Sequence, residues 1–241
     1  MLADGGQPRP VSAGLHEGLH KPAAQFFALI RFIAGLLPKW RDDPKRSAAE
    51  TAEDKLSEQL CDYLNAESRK QPGPDSFQFQ REPRDETNPN RNLDIAAKPA
   101  AESIKVSGRA YSIYDIFLPV ECKRLPMPEP KNKSRDEREY VFGAEKSAGG
   151  IQRFKEGHHG AKHRVAAMIG YIQQGDIRDW QTQIDGWING LVTAPMPDWS
   201  TADCLSLEHH DAGQRLAVLN SNHVRPGDLP DIALSHLWIE M

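Results

Sequence analysis

The sequence predicts a mixed α/β (α+β) domain, a mixed central sheet flanked by helices. Three observations carry that prediction. The stretches "SFQFQRE" (76–82), "YSIYDIFLPVECKRL" (111–125) and "RVAAMIGYIQ" (164–173) are alternating or continuous apolar runs of strand length. Leu56, Leu60 and Leu64 recur every fourth residue, the period of a helix that buries one stripe. Ile177, Trp180, Ile184, Trp187, Ile188 and Leu191 share one helical face behind Asp176, a residue suited to the N-cap.

Taken in order, residues 1–21 are rich in Gly, Pro and His, show no periodicity, and read as disordered. "AAQFFALIRFIAGLL" (23–37) reads as an apolar helix closed by Pro38, with a charged linker to residue 46. A domain over 47–241 follows. Ser47-Ala-Ala-Glu50 matches a capping box and opens a helix expected over 47–67. "SRKQPGPD" ends that helix with turn residues. Strands are expected at 76–82 and 91–97, a loop at 98–110, and the strongest strand at 111–125, where Pro119 suggests a bulge or an edge position. The Pro- and charge-rich segment after Leu125 reads as a solvated linker. A helix is expected at about 140–156, weakened at Gly149-Gly150, then a buried strand at 164–173 and the helix behind Asp176. C-terminal strands are read near Cys204–Leu207, Arg215–Asn220 and Ile232–Ile239.

Composition narrows the classes. The chain has 241 residues, 39% hydrophobic and 27% charged, with a net charge of −4 and a pI near 6.1, so no global basicity announces nucleic acid. Three separated cysteines with no CxxC exclude a cysteine-rich zinc site and fit a reducing, cytoplasmic setting. The 23–37 stretch contains Arg31 and is too short to span a bilayer, so no membrane association is expected.

The chemistry concentrates in "DIFLPVECKRL". On a strand, Glu121 and Lys123 point to one face and Cys122 to the other. Of three Glu-x-Lys triplets, only this one follows an apolar strand and an acid, Asp94, on a preceding strand. Two readings stand: a salt-bridged pair at a strand end, or two carboxylates binding a hard divalent cation beside an amine. Gln152, Arg153 and Lys155 lie on the following helix, whose basic residues face either phosphate or solvent. Trp180 and Trp187 belong to the core. His158, His159 and His163 read as a solvated loop; they and His209-His210 have no partner in a familiar zinc spacing. His223 and Arg225 sit at a turn.

This arrangement resembles the PD-(D/E)XK, or restriction-endonuclease-like, nuclease superfamily over roughly residues 47–190: a helix bearing Glu53, a strand with Asp94, a strand with Glu121-Cys122-Lys123, then a helix and a strand. It departs in having Leu93 rather than Pro before Asp94, and a long gap between Asp94 and Glu121. The resemblance implies a restriction-endonuclease-like core and a Mg²⁺- (or Mn²⁺-) dependent DNA endonuclease. Asp94, Glu121 and Glu53 would bind the metal, Lys123 would position the attacking water, Gln152 would support the site, and Arg153 and Lys155 would hold DNA phosphate. A role in prokaryotic restriction or anti-phage defence is the family analogy. The alternatives are a nuclease acting on RNA, or an inactive nuclease-like subunit that assembles with a protein partner or a second copy through residues 23–37.

Overall fold

Seven strands form one mixed sheet whose order departs from chain order at its centre. The computed structural model describes residues 24–46, 51–106, 108–126, 136–143, 149–194, 196 and 198–241. The strands are β1 (Phe77–Arg81), β2 (Ile95–Pro99), β3 (Ser103–Val106), β4 (Arg109–Ser112), β5 (Leu118–Leu125), β6 (Val165–Ile172), β7 (Ser206–Asp211), β8 (Leu216–His223) and β9 (Ile232–Glu240). The sheet runs β1-β2-β5-β6-β9-β8-β7, and β3 and β4 form a separate hairpin. Among the described residues, only β5–β6 and β6–β9 pair parallel; the flanking pairs are antiparallel. The helices are α1 (Ala24–Arg41), α2 (Glu53–Ser68), α3 (Gly150–Lys155) and α4 (Ile177–Thr193). The expected mixed α+β architecture is present. None of the helices is long and apolar enough to cross a membrane, among the described residues.

The pleat of β5 sorts the two layers. Val120 and Cys122 join Ala167 and Ile169 of β6 under α1 and α2, whereas Met168, Trp238 and Leu234 face α3 and α4. The stripe of α2 (Leu56, Leu60, Cys61, Leu64) is buried as its period requires. Its capping-box residues 47–50 lie outside the described residues, as do residues 1–23; the described helix opens at Glu53, after Ala52.

Several expectations are corrected. Helix α1 does not stop at Pro38 but continues to Arg41, because Leu36, Leu37, Pro38 and Trp40 are all buried and Trp40 packs against Tyr171 at 5.7 Å between rings. Tertiary burial outweighs the lost proline N–H. The apolar face of α1 lies against α2, β8 and β9, and Arg41 donates to the carbonyls of Gln214 and Glu240. The observation that suggested docking through residues 23–37 is thereby removed. Residues 98–110, expected to be a loop, contain β3 and the start of β4. The long strand at 111–125 is two strands separated by a turn. Pro119 sits at neither an edge nor a bulge: β5 is internal, and Pro119 precedes its first pair with β6, Val120–Ala167.

The helix expected over 140–156 is only the six-residue α3. A turn at 137–141 precedes it, and residues 144–148 are outside the description. The carbonyls of Glu139, Tyr140 and Val141 accept from the N–H groups of Gly150, Ile151 and Gln152, so this turn satisfies the orphan donors of α3. The approach requires glycine: a Cβ on Gly149 would lie 2.3 Å from the Phe142 Cα.

The α3/α4 layer also contains a buried polar chain. Trp238 Nε1 donates to Tyr140 Oη at 2.8 Å. An indole only donates, so the tyrosine proton goes on to His236 Nδ1, also at 2.8 Å. His236 Nε2 then donates to Ser221 Oγ (2.8 Å), which donates to His223 Nε2 (2.7 Å). His223 Nδ1 donates to Asp203 Oδ1 at 2.6 Å, and Lys155 Nζ donates to the same oxygen at 2.8 Å. Both histidines are neutral in this order. Burial, with His223 nearby, pushes the His236 imidazole down to about 3.

Two outcomes follow from this packing. Gly149→Ala costs about 2 kcal/mol or more in urea unfolding, since backbone rather than a flexible side chain must move. His236 is depressed below its unfolded value, so its contribution is full above pH ~6.5 and is lost as pH falls toward 3. The stability gap between wild type and His236→Gln therefore narrows by about 2 kcal/mol between pH 6.5 and 5; a constant gap disproves the neutral assignment.

Candidate active site

The end of β5 brings one sequence-distant acid to each side of a lysine. The ladder pairs Ile95 with Val120, and one step further places Asp94 beside Glu121, just before β2 begins. There the Asp94 side chain replaces a strand carbonyl: its Oδ2 accepts from the Cys122 N–H at 2.6 Å. Glu53, in the first turn of α2, reaches the same place, where an acid also suits the helix dipole. Its Oε2 accepts from the Arg124 N–H at 3.0 Å.

Lys123 Nζ lies at the centre. It is 3.0 Å from Glu121 Oε1, 3.3 Å from Glu53 Oε1 and 4.0 Å from Asp94 Oδ2, and it donates to the Cys122 carbonyl at 3.0 Å. Arg153, from α3, donates to the same Glu121 oxygen at 2.7 Å. Glu121 and Lys123 are buried, whereas 28% of the Asp94 and Arg153 side chains and 17% of Glu53 remain exposed, so the cluster opens to solvent past these three.

The charges are strongly coupled. Burial and the Glu121 charge raise the Asp94 carboxyl well above the usual range, against the opposing pull of Lys123 and the Cys122 N–H. Burial would raise Glu121 too, but Lys123, His159 and Arg153 hold it below the usual range. Burial alone would depress Lys123, but Glu121, Asp94 and Glu53 raise it, so the ammonium keeps its charge. The cluster holds three carboxylates against two cations.

No protein-family model, curated protein or solved structure significantly matches this chain. Function is therefore argued from the site itself. Among the described residues, no three His, Cys, Asp or Glu side chains are arranged to hold a metal ion. The donor set nonetheless fits a hard divalent cation bound through one or two carboxylates plus water or phosphate. Carboxylates of Asp94, Glu121 and Glu53 converge on one positive group, and Glu121 Oε2 is buried without a hydrogen-bond partner.

Of the other expected residues, Gln152 is buried beside the cluster. Its Oε1 accepts from the Gly143 N–H and its Nε2 donates to Glu156, so it ties α3 to the turn before it. Arg153 is engaged with Glu121 rather than standing free at the surface. Lys155, expected to face phosphate, turns inward: it is buried and ion-paired with Asp203, and also donates to the Val224 carbonyl.

His159 and His163, expected in a solvated loop, are buried as well. His163 Nε2 lies 2.7 Å from Glu86, and His159 Nδ1 lies 3.1 Å from Glu121 Oε2. His159 is the residue the sequence reading missed. The signal was the pair of flanking glycines: Gly157 (φ +70°) and Gly160 (φ +60°) make the sharp turns that bring the segment back into the protein. Trp180 and Trp187 pack only partly against the core, and His223 and Arg225 are buried rather than at an open turn.

The inward placement of Lys155 makes a specific prediction. Lys155→Met lowers stability by about 3 kcal/mol in urea unfolding, because Asp203 loses its buried cation. Unchanged stability in Lys155→Met would return Lys155 to an exposed position.

Proposed function

We propose that this chain is a Mg²⁺-dependent phosphodiesterase acting on DNA, with a restriction-endonuclease-like core. The observation that supports it is the convergence of Asp94, Glu121 and Glu53 on the Lys123 ammonium at the end of an internal strand. Such a cluster is a poor way to gain stability, since two charges are taken out of water at a cost of several kcal/mol each. It is an effective way to hold charges for chemistry at a phosphate.

A divalent cation bound here would polarise a phosphoryl oxygen and make a water more acidic. Asp94 and Glu121 would hold it, with Glu53 setting the charge at the rim. Lys123 Nζ, freed from part of its carboxylate contacts, would donate to the attacking water or to the phosphate oxygen that gains charge. Arg153, partly exposed beside Glu121, would meet a phosphate approaching from the open side. Gln152 would keep α3 in register with β5 through its bonds to Gly143 and Glu156.

The subunit reading, in which the chain serves only as an assembly partner, loses its motive with the burial of α1.

The test is cleavage of supercoiled plasmid with Mg²⁺. Asp94→Asn and Glu121→Gln, both near-isosteric, are expected to lower the rate by about 100-fold or more while circular dichroism stays native. Wild-type rates in both variants would refute the site. Cleavage of RNA but not plasmid would move the substrate class and leave the site standing.

A further inference from the structure

The two oxygens of Glu121 have different surroundings. Oε1 lies 3.0 Å from Lys123 and 2.7 Å from Arg153. Oε2 faces His159, whose Nδ1 is 3.1 Å away. Both side chains are at least nine-tenths buried, and beyond this 3.1 Å ion-pair contact neither Oε2 nor Nδ1 has a hydrogen-bond partner. Unpaired polar atoms this deep call for an account, and a bound ion is among the few that suffice. Their spacing matches one: a nitrogen and an oxygen, each about 2.1 Å from an octahedral ion and adjacent on it, lie about 3 Å apart.

The imidazole is held where it is. The His159 N–H donates to the Arg153 carbonyl at 3.0 Å, and the ring meets Phe154 edge-on at 6.0 Å. The guanidinium of Arg225 donates to the carbonyls of Gly160 (3.1 Å), Ala161 (3.2 Å) and His163 (2.8 Å), bracing the loop from behind. Such support fixes the ring orientation before any ligand arrives.

We propose that Glu121 Oε2 and His159 Nδ1 together bind a transition-series divalent cation, making this a mixed nitrogen–oxygen site that prefers Mn²⁺ to Mg²⁺. The inference rests on the cation reading of the same cluster and adds His159 to its ligands, which selects between the two metals. An oxygen-only site suits Mg²⁺; an imidazole donor shifts preference toward transition metals. These two donors join the Asp94 carboxylate of the same cluster, and the remaining positions go to water and phosphate oxygens.

The probe is Mn²⁺ alone, titrated into the full chain and followed by electron paramagnetic resonance, with spin-echo modulation to detect directly bound nitrogen. The expected result is one tightly bound Mn²⁺ with histidine nitrogen coupling, displaced by Mg²⁺ only at about tenfold or greater excess. His159→Gln should abolish the coupling and weaken Mn²⁺ by about tenfold or more, with a change of less than about threefold for Mg²⁺. Mn²⁺ bound without nitrogen coupling, and with unchanged affinity in His159→Gln, overturns the role of His159 and leaves the carboxylate reading intact. Binding of neither cation overturns both. Should His159→Gln fail to fold by circular dichroism, His159→Asn takes its place, and a wild-type spectrum lacking nitrogen coupling is by itself decisive against the proposal.

Discussion

A lysine ammonium buried under the end of an internal strand is the constraint around which this fold is arranged. Removing the charge of Lys123 from water costs several kcal/mol, and an apolar residue of similar size would instead gain about 2 kcal/mol at that position. The local structure answers the cost with carboxylates. β2 starts one residue late, so that Asp94 can cap the ladder with its side chain. The first turn of α2 sits where Glu53 reaches both Lys123 and the Arg124 N–H. α3 is pulled against the sheet by two glycines, close enough for Arg153 to share Glu121. The same short helix sends Lys155 the other way, into a second buried pair. The reactive-looking cluster and the polar chain behind it thus share a six-residue element.

Much of this was legible in the sequence, for physical reasons that differ by element. The leucines of α2 and the Asp176 cap of α4 were read because period and cap chemistry are local signals. β6 was read because a strand buried on both faces leaves a continuous apolar run. The Asp94 and Glu121-x-Lys123 placement was legible because charged residues at the end of apolar strands are rare. β4 and β5 were merged because the turn between them contains Ile113, Tyr114, Ile116 and Phe117, which look like strand residues; Phe117 is fully buried there. The β3–β4 hairpin has no strong turn dipeptide apart from the one containing Gly108 (φ +84°), and so went unseen.

What could not be read depends on distant partners. Lys155 looked like a surface cation because lysines usually are; its partner Asp203 lies 48 positions on. His159 looked solvated because its segment is polar. Only the fold shows that its flanking glycines and the Arg225 brace fold it inward against Glu121. Polar residues at such sites break the correlation between hydropathy and depth, and that correlation is most of what a single sequence offers.

The sheet order has a consequence for how the domain assembles. β9 lies between β6 and β8, yet it is the last of these strands along the chain. Until it docks, β1-β2-β5-β6 and the β7–β8 hairpin are separate half-sheets, each with a raw central margin. The keystone is placed at the end, so the domain becomes continuous in one late, cooperative step that joins contacts far apart in sequence. A chain emerging from a ribosome would expose both margins until residues 232–240 arrive, a window in which a chaperone or a neighbouring nascent chain could pair with them.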